Sequence, residues 1–353
     1  MNDQFLPGLL SRLSESPRKV ALMRASRIGD FICATPAFRS LRIALPEAEI
    51  TLIGQPFVEE LIMRSPHLDR FVPFPGFPGI AEQFFDPRQT VQFFQQMQAE
   101  EFDLAVQMHG SGVYSNPFTL LLRARITAGF VREGDSAGRL DAALPMPFKL
   151  HEVRRVLALT TFLGASPQGE ETEFPLWAED RAAASALLAG VEQPLIGLHP
   201  GSREATKQWD SERFAIAGTE LQRQYGGTVV VIGGLDERPV AESIAQTIGS
   251  SCLNLAGKTS LAVLGGVISQ FSVLVTNDSG PAHIAYALGT PTVTVFGGTD
   301  PAIWGPLNSD QHRVLAYEVP CRPCDYGVCP VEYTCLENVM AQQVVETAVE
   351  VMH

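Results

Sequence analysis

Residues 277–283, "NDSGPAH", break an apolar run and open a small-residue one, "IAYALG". The change of composition marks a strand that turns into a helix. Pro281 suits the first helical turn, where its missing N–H costs nothing. Asp278 or Ser279 can cap that helix. The free N–H groups at such an end, together with the helix dipole, bind anions. Gly280 removes a side chain that would block a phosphate, and His283 lies in the first turn, able to face the same anion. Capping accounts for Asp278 and Ser279 but requires neither Gly280 nor His283, so anion binding is the better reading.

A second constellation is "HPGSREATKQW", residues 199–209. Gly201 and Ser202 offer backbone and hydroxyl donors, Arg203 and Lys207 positive charge, and Trp209 an apolar plate. Beside the 277–283 turn, this loop reads as the other jaw of a diphosphate clamp. Asp236 and Glu237 follow "GTVVVIGG". A carboxylate at a strand end beside a diphosphate is placed for ribose hydroxyls, and helix capping accounts for Asp236 equally well. Gly257, Lys258, Thr259 and Ser260 lack the spacing of a P-loop, so capping by Thr259 or Ser260 is the safer reading.

Near the N-terminus, Gly29-Asp30 follows the strand-like "KVALMR" without any G-x-G-x-x-G, so a dinucleotide site is unsupported. Asp30 reads either as a general base or as the cap of a helix starting at Phe31, and the sequence does not separate the two. Cys321, Cys324, Cys329 and Cys335 are spaced x2, x4 and x5. That spacing is compatible with a structural zinc or iron site and equally with reduced packing thiols. A disulfide ranks third in a reducing compartment. In either case the cluster lies far along the chain from the proposed chemistry.

The elements that must position these groups alternate strand and helix in two halves, the pattern of parallel sheets covered on both faces. Strands are expected at 19–24, 49–54, 102–108, 194–200, 227–234, 272–278 and 291–298. Helices are expected at 31–44, 56–63, 211–225, 237–248 and 281–288. Residues 169–180 are the best linker. The stretch 71–90, rich in Pro, Gly and Phe, reads as a packed loop or, with modest preference, as a mobile flap over a site. Phe5, Leu9, Leu10 and Leu13 suggest a short amphipathic helix that docks on the fold.

The chain has 353 residues, 45% of them hydrophobic, and a net charge of −13. The length suits two domains. The acidic balance argues against nucleic acid as a partner and against a broad grip on an anionic membrane. No run approaches a bilayer span and no signal peptide is evident, so a cytoplasmic protein is expected.

Taken together, "RIGDFICATPAFRSLRIALPEAEITLIG", "HPGSREATKQW", "LAGKTSLAVL", "NDSGPAHIAYALGTPTVTVFGGTDPAIWGP" and the cysteine-rich tail resemble glycosyltransferase family nine, the ADP-heptose:lipopolysaccharide heptosyltransferases. The resemblance runs from about Lys19 to the C-terminus. It implies an α/β, GT-B architecture of two Rossmann-like domains with parallel sheets facing across a cleft. Residues 1–175 would bind the acceptor and 176–338 the nucleotide-sugar donor, with a final helix in 339–353 crossing back to the N-terminal domain.

By motif, Asp30 matches the catalytic base, Ser202 and Lys207 diphosphate contacts, and Asp278, Ser279, Gly280 and His283 the phosphate-binding turn. Asp236 or Glu237 matches a ribose or base contact. The implied partners are ADP-heptose and a lipid-linked or soluble saccharide acceptor, met at the inner face of the cytoplasmic membrane with peripheral contact at most. Arg27, Arg64, Arg123 and Arg125 are the candidate acceptor contacts, each equally a surface arginine. No D-x-D occurs, so no cofactor is expected to be required for catalysis, and one direct displacement would invert the anomeric centre. A catalytically silent nucleotide-sugar-binding scaffold and a nucleotide-sugar epimerase or hydrolase are the alternatives.

Overall fold

Aliphatic runs without alternation, such as residues 20–23 and 273–275, suit strands covered on both faces, and both lie in buried strands in the structure. The computed structural model describes residues 3–80, 83–324, 326 and 328–352. It divides into two units, Met1–Glu173 and Phe174–His353. The first contains, in chain order, α1 (Leu9–Arg12), β1 (Lys19–Met23), α2 (Ile28–Ala44), β2 (Glu49–Gly54), α3 (Glu59–Ile62), β3 (Arg70–Pro73) and α4 (Pro87–Ala99). It continues with β4 (Leu104–Gln107), α5 (Ser115–Leu121), β5 (Ile126–Val131), β6 (Ala142–Pro145) and α6 (Glu152–Leu163).

The second unit contains α7 (Ala178–Leu187), β7 (Leu195–His199), α8 (Ser211–Tyr225), β8 (Thr228–Val231), α9 (Arg238–Ile248), β9 (Cys252–Asn254) and α10 (Leu261–Ile268). It continues with β10 (Val273–Asn277), α11 (Gly280–Leu288), β11 (Thr292–Val295), α12 (Pro301–Trp304), β12 (His312–Leu315), α13 (Thr334–Glu337) and α14 (Ala341–Met352).

Each unit has one parallel six-stranded sheet, ordered β3-β2-β1-β4-β5-β6 in the first and β9-β8-β7-β10-β11-β12 in the second. The two orders are the same Rossmann-like winding. The chain starts at a central strand, builds outward, then returns to build the other way. The reversal opens a crevice at the carboxyl ends of β1 and β4, and of β7 and β10, where such sheets bind ligands.

β3, β5, β6, β9 and β12 were not expected from the sequence. β9 is three half-buried residues and β3 begins the Pro- and Phe-rich stretch, so neither carries a full strand pattern. That stretch is not a free flap. Phe74 and Phe77 join Phe93, Phe94 and Phe118 in the core of the first unit, and Phe77 bridges to Ile80. Phe84 is exposed; residues 81 and 82 lie outside the described residues.

The N-terminal helix docks as expected: Leu9 is buried and the Gly8 N–H donates to the Phe162 carbonyl at 2.8 Å. Val344, Val345 and Ala348 of α14 join Trp209, Phe214, Val293 and Val295 in the core of the second unit. Among the described residues no helix is long and apolar enough to cross a membrane.

Candidate functional site

In the second unit the anion-binding candidates converge on the crevice between β7 and β10. β10 ends at Asn277, and the Asn277 side chain ties the two loops together. Its Nδ2 donates to the Pro200 carbonyl at 2.7 Å and its Oδ1 accepts from the Trp209 N–H at 3.0 Å. The 199–209 loop is thereby pinned beside the N-terminus of α11. Lys207, at the end of a short 3-10 turn, reaches Asp278 and Glu204, each at 3.4 Å. Asp278 is buried. It accepts from Thr299 Oγ1 at 2.6 Å and lies 3.9 Å from His283 Nε2.

Neither Asp278 nor Ser279 caps the helix. Ser279 occupies the N-cap position, but its side chain makes no cap hydrogen bond to the helix. Its hydroxyl instead meets His199 Nδ1 at 3.1 Å and donates to the Asn277 carbonyl. The turn therefore keeps its N-terminal end clear of capping side chains, with Pro281 in the first turn as the sequence implied. Ser202 contributes its carbonyl to Gln208 Nε2. Trp209 is no plate in a binding site: it is buried against Phe214, and its indole N–H donates to the Val339 carbonyl.

Glu237, not Asp236, turns into this crevice. Asp236 is exposed and caps nothing. Glu237 accepts from the Gly234 N–H at 2.6 Å and lies 3.4 Å from His199 Nε2. Burial pushes its carboxyl up, but His199 and the Gly234 N–H outweigh that and hold it below the usual range. The carboxylate presses on Gly201, where a Cβ would stand 1.7 Å from Glu237 Oε1. A side chain at Gly201 would therefore have to displace the Glu237 carboxylate. The Gly257 N–H donates to the Gly233 carbonyl, and Ser260 caps α10 through the Val263 N–H.

The four tail cysteines line one small cavity together with Thr206, Gly298 and Arg322, and all are free thiols. Burial, with Cys329, Cys324 and Cys321 nearby, pushes the Cys335 thiol up against the opposing pull of Arg322. Among the described residues no group of three or more His, Cys, Asp or Glu side chains is arranged to hold a metal ion. The zinc or iron reading of Cys321, Cys324, Cys329 and Cys335 therefore finds no support. Nor is the cluster remote from the anion site. Cys324 Sγ covers Gly298, where a Cβ would stand 2.5 Å from it. The Gly298 N–H donates to the Thr206 carbonyl, next to Lys207. Distance along the chain says little here, because β11 pairs with β10 and its carboxyl end brings Gly298 to the 199–209 loop.

In the first unit Asp30 lies beyond the carboxyl end of β1, at that sheet's own reversal point. α2 begins at Ile28, three residues before the expected start, so Asp30 sits inside the first turn. The N-cap residue is Arg27, whose side chain makes no cap hydrogen bond. The Asp30 side chain is 28% exposed and its Oδ1 stands 3.8 Å from Arg24 Nη2. Arg24 is buried between Asp30 and Glu152. Sequence reasoning missed Arg24, Glu152, His199 and Thr299. The available signal for Arg24 and His199 was a basic side chain at the carboxyl end of a central strand.

The candidate acceptor arginines do not form one group. Arg27 is half-buried beside Asp30 in sequence, and Arg64, between α3 and β3, pairs with Glu60 at 3.3 Å. Arg125 pairs with Asp103 at 3.3 Å. These two residues precede β5 and β4, and Arg123 is exposed in the same α5–β5 connection. In a parallel sheet residues preceding strands lie on the amino edge, opposite the edge that carries Asp30.

The family model for glycosyltransferase family 9 (heptosyltransferase) matches residues 90–334. The chain is 23% identical over 313 residues to the lipopolysaccharide core heptosyltransferase OpsX of Haemophilus influenzae, covering 86% of each chain. Its fold matches the family 9 glycosyltransferase of Veillonella parvula with a TM-score of 0.79 at 21% identity, covering 95% of this chain and 97% of that one. It matches the Escherichia coli ADP-heptose lipopolysaccharide heptosyltransferase II with a TM-score of 0.76 at 21% identity, covering 95% and 98%. With two Rossmann-like units of the GT-B class and a family match across more than half its length, the chain belongs to glycosyltransferase family 9, the heptosyltransferase family.

Proposed function

We propose that this glycosyltransferase moves a heptose from ADP-heptose to a saccharide of the lipopolysaccharide core, with inversion and without a catalytic metal. The observation that carries the donor half is the meeting of Lys207, Gly201 and the uncapped N-terminus of α11 at one sheet reversal. The names of the relatives supply the sugar and the acceptor class. The second unit holds the donor, with the diphosphate on the α11 turn and Lys207, and Glu237 toward the ribose. As the anomeric C–O bond breaks, negative charge gathers on the departing phosphate. Lys207 and the helix N–H groups stabilise it more in the transition state than before it. They supply the charge that a bridging cation supplies in enzymes with a D-x-D motif.

The first unit supplies Asp30. The acceptor hydroxyl oxygen bonds to the anomeric carbon, its proton passes to the Asp30 carboxylate, and ADP leaves with the bonding pair. Because the acceptor is lipid-borne in this reading, the reaction takes place in the cytoplasm at a membrane face. The experiment is a panel of nucleotide sugars read by melting temperature, followed by turnover of the Asp30→Asn variant. ADP and ADP-heptose are expected to raise Tm in both proteins, and Asp30→Asn to lose turnover while keeping that shift. Failure of every adenine nucleotide to raise Tm would overturn the donor assignment.

A further inference from the structure

The reaction as proposed leaves the buried charge of Arg24 unused. Arg24 directly follows β1 and is 4% exposed. Its guanidinium donates twice to the Asp30 carbonyl, from Nε at 3.0 Å and from Nη2 at 2.8 Å. Nη1 donates to the Met108 carbonyl at 2.6 Å, just past β4. Nη2 also meets Glu152 Oε1 at 2.8 Å. Glu152 in turn pairs with Arg155, whose Nη2 donates to the Phe148 carbonyl at 2.8 Å. One planar fork therefore joins both strand ends at the reversal point to the first turns of α2 and α6.

We propose that Arg24 is a positioning residue for Asp30, an inference that rests on the reading of Asp30 as the base. Two features separate this role from a plain buried ion pair. First, the guanidinium bonds to the main chain of Asp30, the segment from which the carboxylate projects. Second, its distance to Oδ1 is 3.8 Å, too long for a hydrogen bond. The backbone is fixed while the carboxylate oxygens keep their lone pairs for an incoming hydroxyl. A buried ion pair by itself adds little stability over hydrocarbon of the same volume, so architecture alone does not call for it. Lysine retains the charge but is a point donor without the fork. It cannot hold Asp30, Met108 and Glu152 in the same geometry.

The test is a double-mutant cycle on the full chain with Arg24→Lys and Asp30→Asn. ADP release is measured from ADP-heptose with heptose-deficient lipopolysaccharide as acceptor. Arg24→Lys is expected to leave Kd for ADP and KM for both substrates unchanged and to lower kcat by about 10- to 100-fold, the loss typical of a misplaced catalytic group. In the Asp30→Asn background, adding Arg24→Lys is expected to lower the residual kcat no further. Three results overturn the inference: an unchanged kcat in Arg24→Lys, the same fold-loss in both backgrounds, or a loss confined to KM or ADP affinity. If Asp30→Asn alone turns over as the parent does, the reading of Asp30 fails, and the positioning role with it. Should Arg24→Lys not fold, Arg24→Gln leaves Glu152 paired with Arg155 and is held to the same outcomes.

Discussion

At the scale of single residues, the ammonium of Lys207 lies 3.4 Å from both Glu204 and Asp278. In the proposed donor site a bound diphosphate would contest that position, exchanging two carboxylates for phosphate oxygens. Lys207→Met is expected to lower kcat/KM by about 100-fold or more, the usual loss when a donor to developing charge is removed, and to weaken ADP binding. A kcat/KM within twofold of the parent would remove Lys207 from the site. His312 gives a second expectation. It is buried beside Thr292, and burial lowers its pKa from the ordinary 6.5 to about 4. The folded pKa is depressed, so the full contribution is present above pH 6.5. It is lost as pH falls toward 4, because the unfolded chain takes up the proton first. The loss is on the order of 3 kcal/mol, read as a falling Tm across that window. His312→Gln is expected to flatten the fall, and an unchanged slope in that variant would remove His312 as its source.

At the scale of elements, the crevices depend on how the helices are held to the sheets. α4 and α5 meet through Phe118, whose ring centroid lies 5.0 Å from Phe94, 5.2 Å from Phe74, 5.4 Å from Phe77 and 5.6 Å from Phe93. Phe118 is fully buried. Phe118→Ala is expected to destabilise the first unit by about 3–5 kcal/mol through lost burial and the cavity left behind. The measurement is urea unfolding followed by a probe in that unit, and a loss under 1 kcal/mol would show that the aromatic cluster collapses to fill the gap. The same cluster explains why Phe74 and Phe77 are not part of a lid. An aromatic side chain that finds ring neighbours in the core is stabilised there, whichever loop carries it.

At the scale of the whole molecule, the chain divides between Glu173 and Phe174, and each side has its own complete six-stranded sheet. α14 belongs to the core of the second unit, so residues 174–353 carry every donor-site candidate and the helix that closes their own core. Expressed alone, that fragment is expected to unfold cooperatively and to bind ADP with the affinity of the full chain. A fragment that is molten, or that has lost ADP binding, would show that the donor unit is not self-sufficient.

The strand-to-helix turn at 277–283, the loop 199–209 and the central strands were legible because each depends on local chemistry. A proline suits a first helical turn, a glycine clears space for a phosphate, and aliphatic runs suit strands buried on both faces. The short outer strands were not legible, because pairing to a neighbour decides them more than their own composition. Capping and catalysis at Asp30 and at Asp278-Ser279 asked for the same residue types, and only the actual hydrogen bonds separated capping from the rest. The role of Asn277, the turning of Glu237 rather than Asp236 toward Gly201, the closeness of Cys324 to the Lys207 loop, and Arg24 beneath Asp30 belong to the tertiary structure alone. Each joins residues from separate strands or loops. Sequence determines which groups each strand end carries, and the winding order of the sheet decides which strand ends become neighbours.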